Sequence, residues 1–540
     1  MLHNYRLTHY MLALILLVGL NVSVLATSSS GQQEQGDQDR PNIIIMYSDD
    51  HTAQSIGAYQ EALDYGLKLD HTPTPNLDRL ADNGMRFDNA FVTNSICKPS
   101  RAVLLTGKHN HINKVWSNRE SIDTSLVTFP KLLHKNGYQT AMIGKWHLGT
   151  EPKGFDYYEV LKGQGPYYNP EMRTPNGDVK RHGHTSQIIT NSALSWLKTQ
   201  RSGDEPFMMM YNPKTPHRNW LPGPNHLHDY KNMDLPEAPS LYYDYSGLAS
   251  PASNQEMEIA NHMGWGWDLK VPRNPYNDKT GGWDYLVRRN DLTEEQETMI
   301  KEAYKESNQE LYDNIDTWSE KELLQWKYQR YVKDYLRVVR GMDDGIGRLM
   351  DYLQRENLYD NTVVIYAGDQ GFFLGENGWF DKRWIYEESM RQPLIVHWPE
   401  GIEPGSVNKQ LVQNLDLAPT ILDLAGVSIP DDMQGRSLVP LFKGNNPEWR
   451  DAVYYHYYEG ADRVHSVAKH YGIRTRDYTI AHYYEEDEWE LFDLNDDPEQ
   501  LQSVYGDPEY SDVQKRLKQK LDEVQKKYKV EFMPEDMQDN

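Results

Sequence analysis

The sequence has a single cysteine in 540 residues, at position 97. One thiol cannot form a disulfide within the chain, so the fold cannot depend on an internal disulfide. An isolated cysteine is most often a small buried hydrophobic residue. Only its neighbours in the sequence can distinguish that structural role from a chemical one.

Positive charge is also scarce. The sequence has 56 Lys and Arg residues and 80 Asp and Glu residues, which gives a formal net charge of −24. Such a chain repels nucleic acid and anionic membranes, so we expect neither as a partner. An anionic substrate would need a local basic pocket. An acidic exported surface with no implication for partners explains the composition equally well.

The apolar run near the N-terminus, residues 11–20, is too short to span a bilayer. Arg6 precedes it, and Ala26 ends a small-residue cleavage site, so residues 1–26 are predicted to be a signal peptide. No cysteine follows that site, which excludes a lipoprotein anchor there. Residues 27–40 predict a disordered lead-in. We expect an exported protein, periplasmic or secreted, without a stable membrane anchor.

Short apolar runs alternate with helical patterns along most of the chain. This alternation predicts an α/β sandwich with a mainly parallel sheet. In the longest helical pattern, Gly341, Gly345 and Gly347 are expected to allow a kink or break. The predicted strands are residues 42–47, 207–211, 362–366 and 394–397, and the predicted helices lie at 128–136, 184–198 and within 324–353.

Two regions depart from this alternation. Residues 222–320 are polar and predict an insertion that decorates one face; its tryptophans either stack on sugar rings or, as aromatics more often do, pin the insertion to the core. From 433 onward, strand-like runs at 454–458 and 472–480 and a helix at 511–528 predict a smaller subdomain with an antiparallel sheet. The predicted bounds are 41–432 for the catalytic domain and 433–540 for the C-terminal subdomain.

Acidic residues follow two of the predicted strands directly. Asp49 and Asp50 follow the first strand, and Asp369 with Gln370 follows the run at 362–366. Ligands gather at the carboxyl ends of strands in open α/β sheets. Three carboxylates and an amide oxygen suit Ca²⁺, or Mg²⁺ in a small cage. Each acidic pair alone would more often be a turn or a helix cap.

The residues around Cys97 favour a chemical role for it. Pro99 suits the first turn of a helix, which places Cys97 near a helix N-terminus that favours an anion. Arg101 lies one turn further and can fork onto an anionic oxygen.

Basic residues and histidines recur in three other segments. Lys145 and His147 are two residues apart and would project to the same side of an extended strand end, where they could bind an oxyanion and move a proton. His217 closes the segment 214–217, and Lys382 lies in a basic cluster at 381–383. Each segment alone would usually be a solvated loop.

Taken together, residues 95–107 and 137–147 resemble the two signatures of type I, formylglycine-dependent sulfatases of the alkaline-phosphatase-like superfamily. The resemblance covers about residues 40–494. A finer resemblance, to the N-acetylglucosamine-6-sulfatase-like group that includes bacterial enzymes acting on glycosaminoglycans and on algal polysaccharides such as ulvan, lies in residues 97–107, 144–149, 214–220 and 369–393.

The resemblance implies an alkaline-phosphatase-like α/β/α sandwich with a smaller C-terminal α+β subdomain. It implies hydrolysis of sulfate esters of a sulfated polysaccharide or glycosaminoglycan-derived oligosaccharide, one Ca²⁺ per chain, and a formylglycine-generating maturation enzyme that converts Cys97 to 3-oxoalanine. The implied metal ligands are Asp49, Asp50, Cys97, Asp369 and Gln370, and the implied catalytic residues are Cys97, Arg101, Lys145, His147, His217 and Lys382.

In the implied mechanism, a hydroxyl of the hydrated aldehyde at residue 97 attacks sulfur while His217 protonates the departing sugar oxygen. Arg101, Lys145, Lys382 and Ca²⁺ offset the charge that grows on the sulfuryl oxygens. His147 then removes a proton from the second hydroxyl, sulfate leaves and the aldehyde re-forms.

Two positions depart from the family pattern. Lys98 stands where most relatives have a small residue, and Gln370 stands where many have Asn or His. Two other functions stay open at this point: a phosphodiesterase or phosphonate hydrolase on the same scaffold, and a non-catalytic sugar-binding relative whose Cys97 remains a thiol. The sugar, the sulfate position, exo or endo action and the oligomeric state are not specified by the sequence.

Overall fold

The computed structural model describes residues 40–69, 72–203, 205–277, 281–445, 447–460 and 466–531. The predicted signal peptide at 1–26 and all but the last residue of the lead-in at 27–40 lie outside these ranges. Within the described ranges, no helix is both long enough and apolar enough to cross a membrane.

The strands begin and end close to the predicted positions, and all four strands predicted in the first domain are confirmed. In chain order the strands are β1 Asn42–Ser48, β2 Met85–Phe87, β3 Ala90–Phe91, β4 Gln139–Gly144, β5 Tyr157–Leu161, β6 Glu171–Thr174, β7 Gly177–Lys180, β8 Phe207–Asn212, β9 Thr362–Gly368, β10 Phe373–Leu374, β11 Phe380–Asp381, β12 Leu394–His397, β13 Ser406–Asn408, β14 Val412–Gln413, β15 Ala452–Tyr457, β16 His470–Thr475, β17 Tyr478–Tyr483 and β18 Glu488–Asp493.

The helices of the described ranges confirm the three predicted helical segments, which correspond to α4, α5 and α10. They are α1 Pro75–Asp82, α2 Cys97–Thr106, α3 Asn110–Asn113, α4 Phe129–Lys135, α5 Thr185–Thr199, α6 Ser250–Ser253, α7 Ile259–His262, α8 Trp283–Arg289, α9 Glu294–Asn314, α10 Glu320–Arg355, α11 Glu387–Met390, α12 Leu417–Leu424, α13 Val439–Phe442 and α14 Ser511–Tyr528.

A large sheet lies between two helical layers. In the described ranges it has ten strands in the order β13-β2-β12-β9-β1-β8-β4-β5-β6-β7, and its centre from β9 to β5 is parallel. Successive residues of β1 point to opposite faces: Ile44 packs in the apolar cluster that contains α10, and Ile45 packs in the cluster that contains α12. Apolar residues on both faces explain the uninterrupted hydrophobic run of β1. The expected alkaline-phosphatase-like sandwich is therefore confirmed.

The glycines of α10 do not break it, since the helix runs without interruption from Glu320 to Arg355. A Cβ on Gly345 would lie 2.4 Å from Thr190 Oγ1, and one on Gly347 would lie 2.5 Å from Asn76 Oδ1. The possible break is therefore not present, and these two glycines instead allow α10 to pack closely against its neighbours.

The insertion at 222–320 contributes to the main core. Its described residues form helices and no strand, as predicted. Leu269, Ile300 and Leu311 belong to the same buried cluster as the inner face of α10. The tryptophans pin the insertion to the core, the second of the two alternatives. Trp283 is buried, and Trp265 and Trp267 are half-buried and pack against the core. The described residues of the segment thus contribute buried side chains to the core on the α10 face of the sheet.

The C-terminal part forms the predicted antiparallel sheet, in the order β15-β16-β17-β18. The run at 472–480 covers parts of two strands, β16 and β17, which form a hairpin. The apolar stripe of α14, including Leu517 and Leu521, packs with Ile473 and Ile480 of this sheet. The domain bounds drawn from the sequence, including the one at 433, stay predictions.

Candidate active site

The acidic residues predicted at the strand ends meet because β1 and β9 are parallel neighbours. Asp49 and Asp50 follow β1, and Asp369 follows β9, with none of the three exposed to solvent. The Asp50 amide donates a hydrogen bond of 2.9 Å to Asp369 Oδ1. The Asp49 amide donates to the Thr215 carbonyl at 3.2 Å, which ties the loop after β8 to the same edge.

These residues form a set of oxygens that fits a hard cation. Ligand atoms of Asp49, Asp50 and Asp369 all lie within 4.8 Å of one another. The Gln370 amide nitrogen donates to Asp50 Oδ1 and lies 3.6 Å from Cys97 Sγ. Asp49 Oδ1 and Gln370 Oε1 are buried and have no hydrogen-bond partner. Because buried oxygens are nearly always paired, these two mark a place where a Ca²⁺ ion fits.

The acids also carry the electrostatic signs of a cation site. Burial raises the pKa of Asp50, and burial together with the neighbouring Asp49 charge raises the pKa of Asp369 to about 7. Burial would also raise the pKa of Asp49, but the charges of Lys145 and Arg101 hold it well below its usual range. Three buried carboxylates this close are fully ionised only beside additional positive charge.

Three cationic side chains each contact one of the acids. Arg101 comes from α2, Lys145 follows β4, and Lys382 follows β11, so separate elements deliver the positive charges to one place. The contacts are Lys145 Nζ with Asp49 Oδ2, Lys382 Nζ with Asp50 Oδ2 at 2.6 Å, and Arg101 Nη2 and Nε with Asp369 Oδ2 at 2.8 and 3.1 Å.

Cys97 is the first residue of α2, which confirms its predicted place at a helix N-terminus. It is only 1% exposed. Its Sγ belongs to a group with Asp49 and His217 whose ligand atoms lie within 4.8 Å of one another. Burial, with a further contribution from the Asp49 charge, raises the pKa of the thiol to about 12. The unmodified side chain is therefore a neutral thiol at physiological pH and a poor nucleophile.

His217 reaches the acids from the loop after β8. Its Nε2 lies 3.9 Å from Asp50 Oδ2, and its Nδ1 lies 2.6 Å from the Arg218 carbonyl oxygen. Because a carbonyl only accepts, Nδ1 carries the proton and Nε2 faces the site. Burial lowers the pKa of His217 well below its usual value, so the ring is neutral before an anion binds.

His147 lies near the same cluster, but the backbone differs from the expected extended form. Gly144 has φ +104° and His147 has φ +56°. Residue 144 has to be glycine, because its φ is positive and a Cβ there would lie 2.0 Å from the Asn212 carbonyl oxygen. The extended strand end expected for Lys145 and His147 is therefore not present, because β4 ends at Gly144. Burial, followed by the Lys145 charge, lowers the pKa of His147, and its Nδ1 has no hydrogen-bond partner.

The sequence interpretation did not assign several residues at the site. Gln164 Oε1 accepts a hydrogen bond from Lys145 Nζ, although nothing in the sequence marks it. Lys214 was noticed only as part of a segment; it is buried, its Nζ lies 4.6 Å from the Tyr167 ring centroid, and burial lowers its pKa to about 7. Tyr335 of α10 donates to the Asp50 carbonyl at 2.7 Å.

The segment 218–220, which follows His217, faces the protein interior more than the site. Asn219 is 2% exposed and Trp220 is fully buried. The Arg218 side chain, 30% exposed, is held by Asp268 at 2.6 Å. These positions therefore bond mainly to other parts of this chain.

Comparison with known proteins agrees with this geometry. Residues 41–427 match the sulfatase family, and residues 375–527 match the C-terminal region of N-sulphoglucosamine sulphohydrolase. The chain is 42% identical over 530 residues to an N-acetylglucosamine-6-O-sulfatase of Bacteroides thetaiotaomicron, covering 94% of this chain and 90% of that one. It is 25% identical to an ulvan-active sulfatase of Formosa agariphila, covering 93% and 84%.

Among solved structures, BT4656 in complex with its substrate D-glucosamine-2-N,6-O-disulfate superposes with a TM-score of 0.85 and 43% identity, covering 91% of this chain and 98% of that one. The similarity thus extends over the sheet, the insertion and the C-terminal part. The chain belongs to the sulfatase family and is an enzyme that hydrolyses sulfate esters.

Proposed function

We propose that this protein is an exported sulfatase that removes the 6-O-sulfate of N-acetylated or N-sulfated glucosamine in glycosaminoglycan-derived oligosaccharides. The observation that carries the proposal is Cys97 at the start of α2, among three buried acids and three cations. The choice of sugar is supported by the relative named as an N-acetylglucosamine-6-O-sulfatase and by the neighbour solved with a 6-O-sulfated glucosamine.

The site requires two additions to the unmodified chain. Oxidised to formylglycine, residue 97 supplies a hydrated aldehyde as nucleophile, and a bound Ca²⁺ supplies positive charge next to the sulfuryl oxygens. The neutral thiol of Cys97 supports the need for modification. Asp49, Asp50, Asp369 and Gln370 would hold the ion, together with residue 97.

The remaining side chains bind the ester and move protons. Lys145, Lys382 and Arg101 would stabilise charge on the sulfuryl oxygens, because preformed cations in a dry site cost no reorganisation. A bound sulfate anion raises the pKa of a neighbouring imidazole, so His217 would take up a proton from solvent on Nε2 and give that proton to the departing sugar oxygen. His147 would take the proton of the second hydroxyl of residue 97, and its removal restores the aldehyde as sulfate leaves.

Modification of Cys97 must precede or accompany folding, because the side chain is 1% exposed in the folded chain. A maturation enzyme could reach it only in an unfolded chain. This order is compatible with an exported protein whose precursor is unfolded before it crosses the membrane.

The proposal is tested on protein produced together with a formylglycine-generating enzyme. Mass spectrometry of the tryptic peptide 87–101 should show formylglycine at residue 97, and the protein should release sulfate from N-acetylglucosamine 6-sulfate. Faster hydrolysis of a phosphodiester such as bis(4-nitrophenyl) phosphate would contradict the proposal. Sugar binding by native protein that carries an unmodified thiol would contradict it as well.

A further inference from the structure

The loop that carries His217 is fastened to the insertion by a buried group of charges. Asp268 is fully buried in the segment between α7 and α8. It accepts two hydrogen bonds from Arg218, from Nε at 2.7 Å and from Nη2 at 2.6 Å. Its Oδ2 also accepts from the Gly264 amide at 2.8 Å. The two carboxylate oxygens are thus fully engaged in a forked pair.

A second contact fastens the next residue of the loop. Lys270 Nζ donates to the Asn219 carbonyl at 2.6 Å and lies 3.0 Å from Asp334 Oδ2 of α10. Asp334 Oδ1 in turn accepts from Arg337 Nη1 at 2.8 Å. We call Arg218, Asp268, Lys270, Asp334 and Arg337 the brace. It connects the His217 loop to the longest helix of the described chain.

The brace bears on His217 through a single peptide group. The carbonyl that accepts the His217 Nδ1 proton at 2.6 Å belongs to Arg218, whose side chain is the one held by Asp268. Asp268 holds the Arg218 side chain, and Lys270 holds the carbonyl of the next residue, Asn219. The Arg218 carbonyl between them therefore has a fixed position. The imidazole therefore keeps the Nδ1-protonated tautomer, with Nε2 aimed at the site.

We propose that Asp268, acting through Arg218, is a positioning residue for His217, and that the insertion at 222–320 supplies it. This inference rests on the proposed acid role of His217. Asp268 touches no reacting group. Its effect is to keep Nε2 in line with the oxygen that leaves, and small displacements of a catalytic group cost about 100-fold in rate.

The test compares two esters that differ in their need for an acid. Glucosamine 6-sulfate has a poor alkoxide leaving group, whereas 4-nitrophenyl sulfate releases a stable phenolate without protonation. In formylglycine-containing enzyme, Arg218→Met and Asp268→Asn should lower kcat on the sugar ester by about 100-fold. Both variants should change kcat on the aryl ester, and KM on either ester, by less than about 5-fold.

A matched control separates positioning from general destabilisation. Arg450 makes a similar buried fork with Asp416, at 2.5 and 2.6 Å, in another part of the chain. Arg450→Met should lower both activities by the same small factor. Arg218→Lys, which keeps the charge and loses the fork, should fall between Arg218→Met and the parent enzyme on the sugar ester.

A double variant gives the decisive outcome. If Asp268 acts through His217, Arg218→Met should cause no further loss on the sugar ester in a His217→Ala background. Independent, multiplicative losses would overturn the inference, as would equal losses of Arg218→Met on the two esters or an ester-selective loss in Arg450→Met.

An independent readout distinguishes this inference from the proposed function. Nitrogen NMR of the His217 ring in Cys97→Ala protein should show a protonated Nδ1, and Arg218→Met should reduce that population. An unchanged tautomer would overturn the inference. Parent enzyme with formylglycine that hydrolyses neither ester would instead refute the proposed function, and with it the acid role.

Discussion

The brace and the charged cluster of the active site meet at His217. They differ in how completely their carboxylate and amide oxygens are paired. In the brace, each carboxylate oxygen of Asp268 and Asp334 lies within 3.0 Å of a donor or cation. Among the site oxygens, Asp49 Oδ1 has its nearest recorded cation at 3.9 Å, and Gln370 Oε1 has no partner. The carboxylates of both groups are fully buried.

The difference separates a structural group from a functional one. An unpaired buried polar atom costs about 1–3 kcal/mol, so a purely structural cluster is expected to avoid it. The brace largely does so: Asp334 Oδ2 is the one carboxylate oxygen of Asp268 and Asp334 without a hydrogen bond, and it lies 3.0 Å from Lys270 Nζ. At the site, Asp49 Oδ1 and Gln370 Oε1 instead have no hydrogen-bond partner, which is the arrangement that a bound cation would need.

The largest expected effect concerns the active-site cluster. Cys97→Ala in the mature enzyme should lower kcat/KM by on the order of 10⁴-fold or more, because no other side chain supplies the nucleophile. The melting temperature should change by less than about 4 °C, since the substitution removes one small atom. Sulfate release and calorimetry measure the two quantities. A variant that keeps more than a tenth of the activity would show that residue 97 is not the nucleophile.

Cys97→Ser is its control, because serine is nearly isosteric with cysteine. If the host modifies only cysteine, this variant should be equally inactive. Full activity of Cys97→Ser would show that formylglycine is not required.

The next largest effect concerns the brace. Asp334→Asn should lower the free energy of unfolding by about 3–5 kcal/mol, because it leaves Lys270 and Arg337 without their buried counter-charge. Urea denaturation measures the change. Asp344→Asn is the control on the same helix: its side chain is 50% exposed in an ion pair with His226, so its loss should be at most about 1 kcal/mol. Equal losses would remove the distinction between the brace and a surface pair.

A smaller effect is expected at His217, where the brace meets the active-site cluster. His217→Ala should lower kcat on N-acetylglucosamine 6-sulfate by about 10²-fold, the usual contribution of a general acid. On 4-nitrophenyl sulfate the loss should be less than about 10-fold, because the phenolate leaves without a proton. Steady-state rates on both esters decide the point, and the same loss on both would argue against the acid role.

The smallest effect concerns the unpaired amide oxygen. Gln370→Leu should weaken Ca²⁺ binding by about 10-fold, or 1.4 kcal/mol, since one of several oxygen ligands is lost. Calcium titration calorimetry on mature protein measures the affinity, and the rise in melting temperature with Ca²⁺ should shrink accordingly. Gln164→Leu, which removes an amide that contacts Lys145 and none of the acids, should bind Ca²⁺ as the parent does. Unchanged affinity in Gln370→Leu would exclude this residue as a ligand.

Much of the site was predictable because its signals are local. The acids follow strands, and Cys97 lies two residues before a proline that suits a first helical turn. Parallel pairing then brings Asp50 and Asp369 together without further information. The sequence could not show what depends on a distant segment: residue 144 has to be glycine because the Asn212 carbonyl lies against it, and residue 345 has to be glycine because Thr190 packs against that part of α10.

The sequence by itself determined the alternating architecture, the family and the residues that follow its motifs, because hydrophobic periodicity and short motifs depend on neighbouring positions. Only the tertiary structure decided that 222–320 belongs to the core, that Gln164 contacts Lys145, and that Asp268 holds Arg218 from 50 residues away. Contacts of this kind leave no periodic pattern, since each depends on where two separate segments cross, and that crossing exists only once the sheet and α10 have packed.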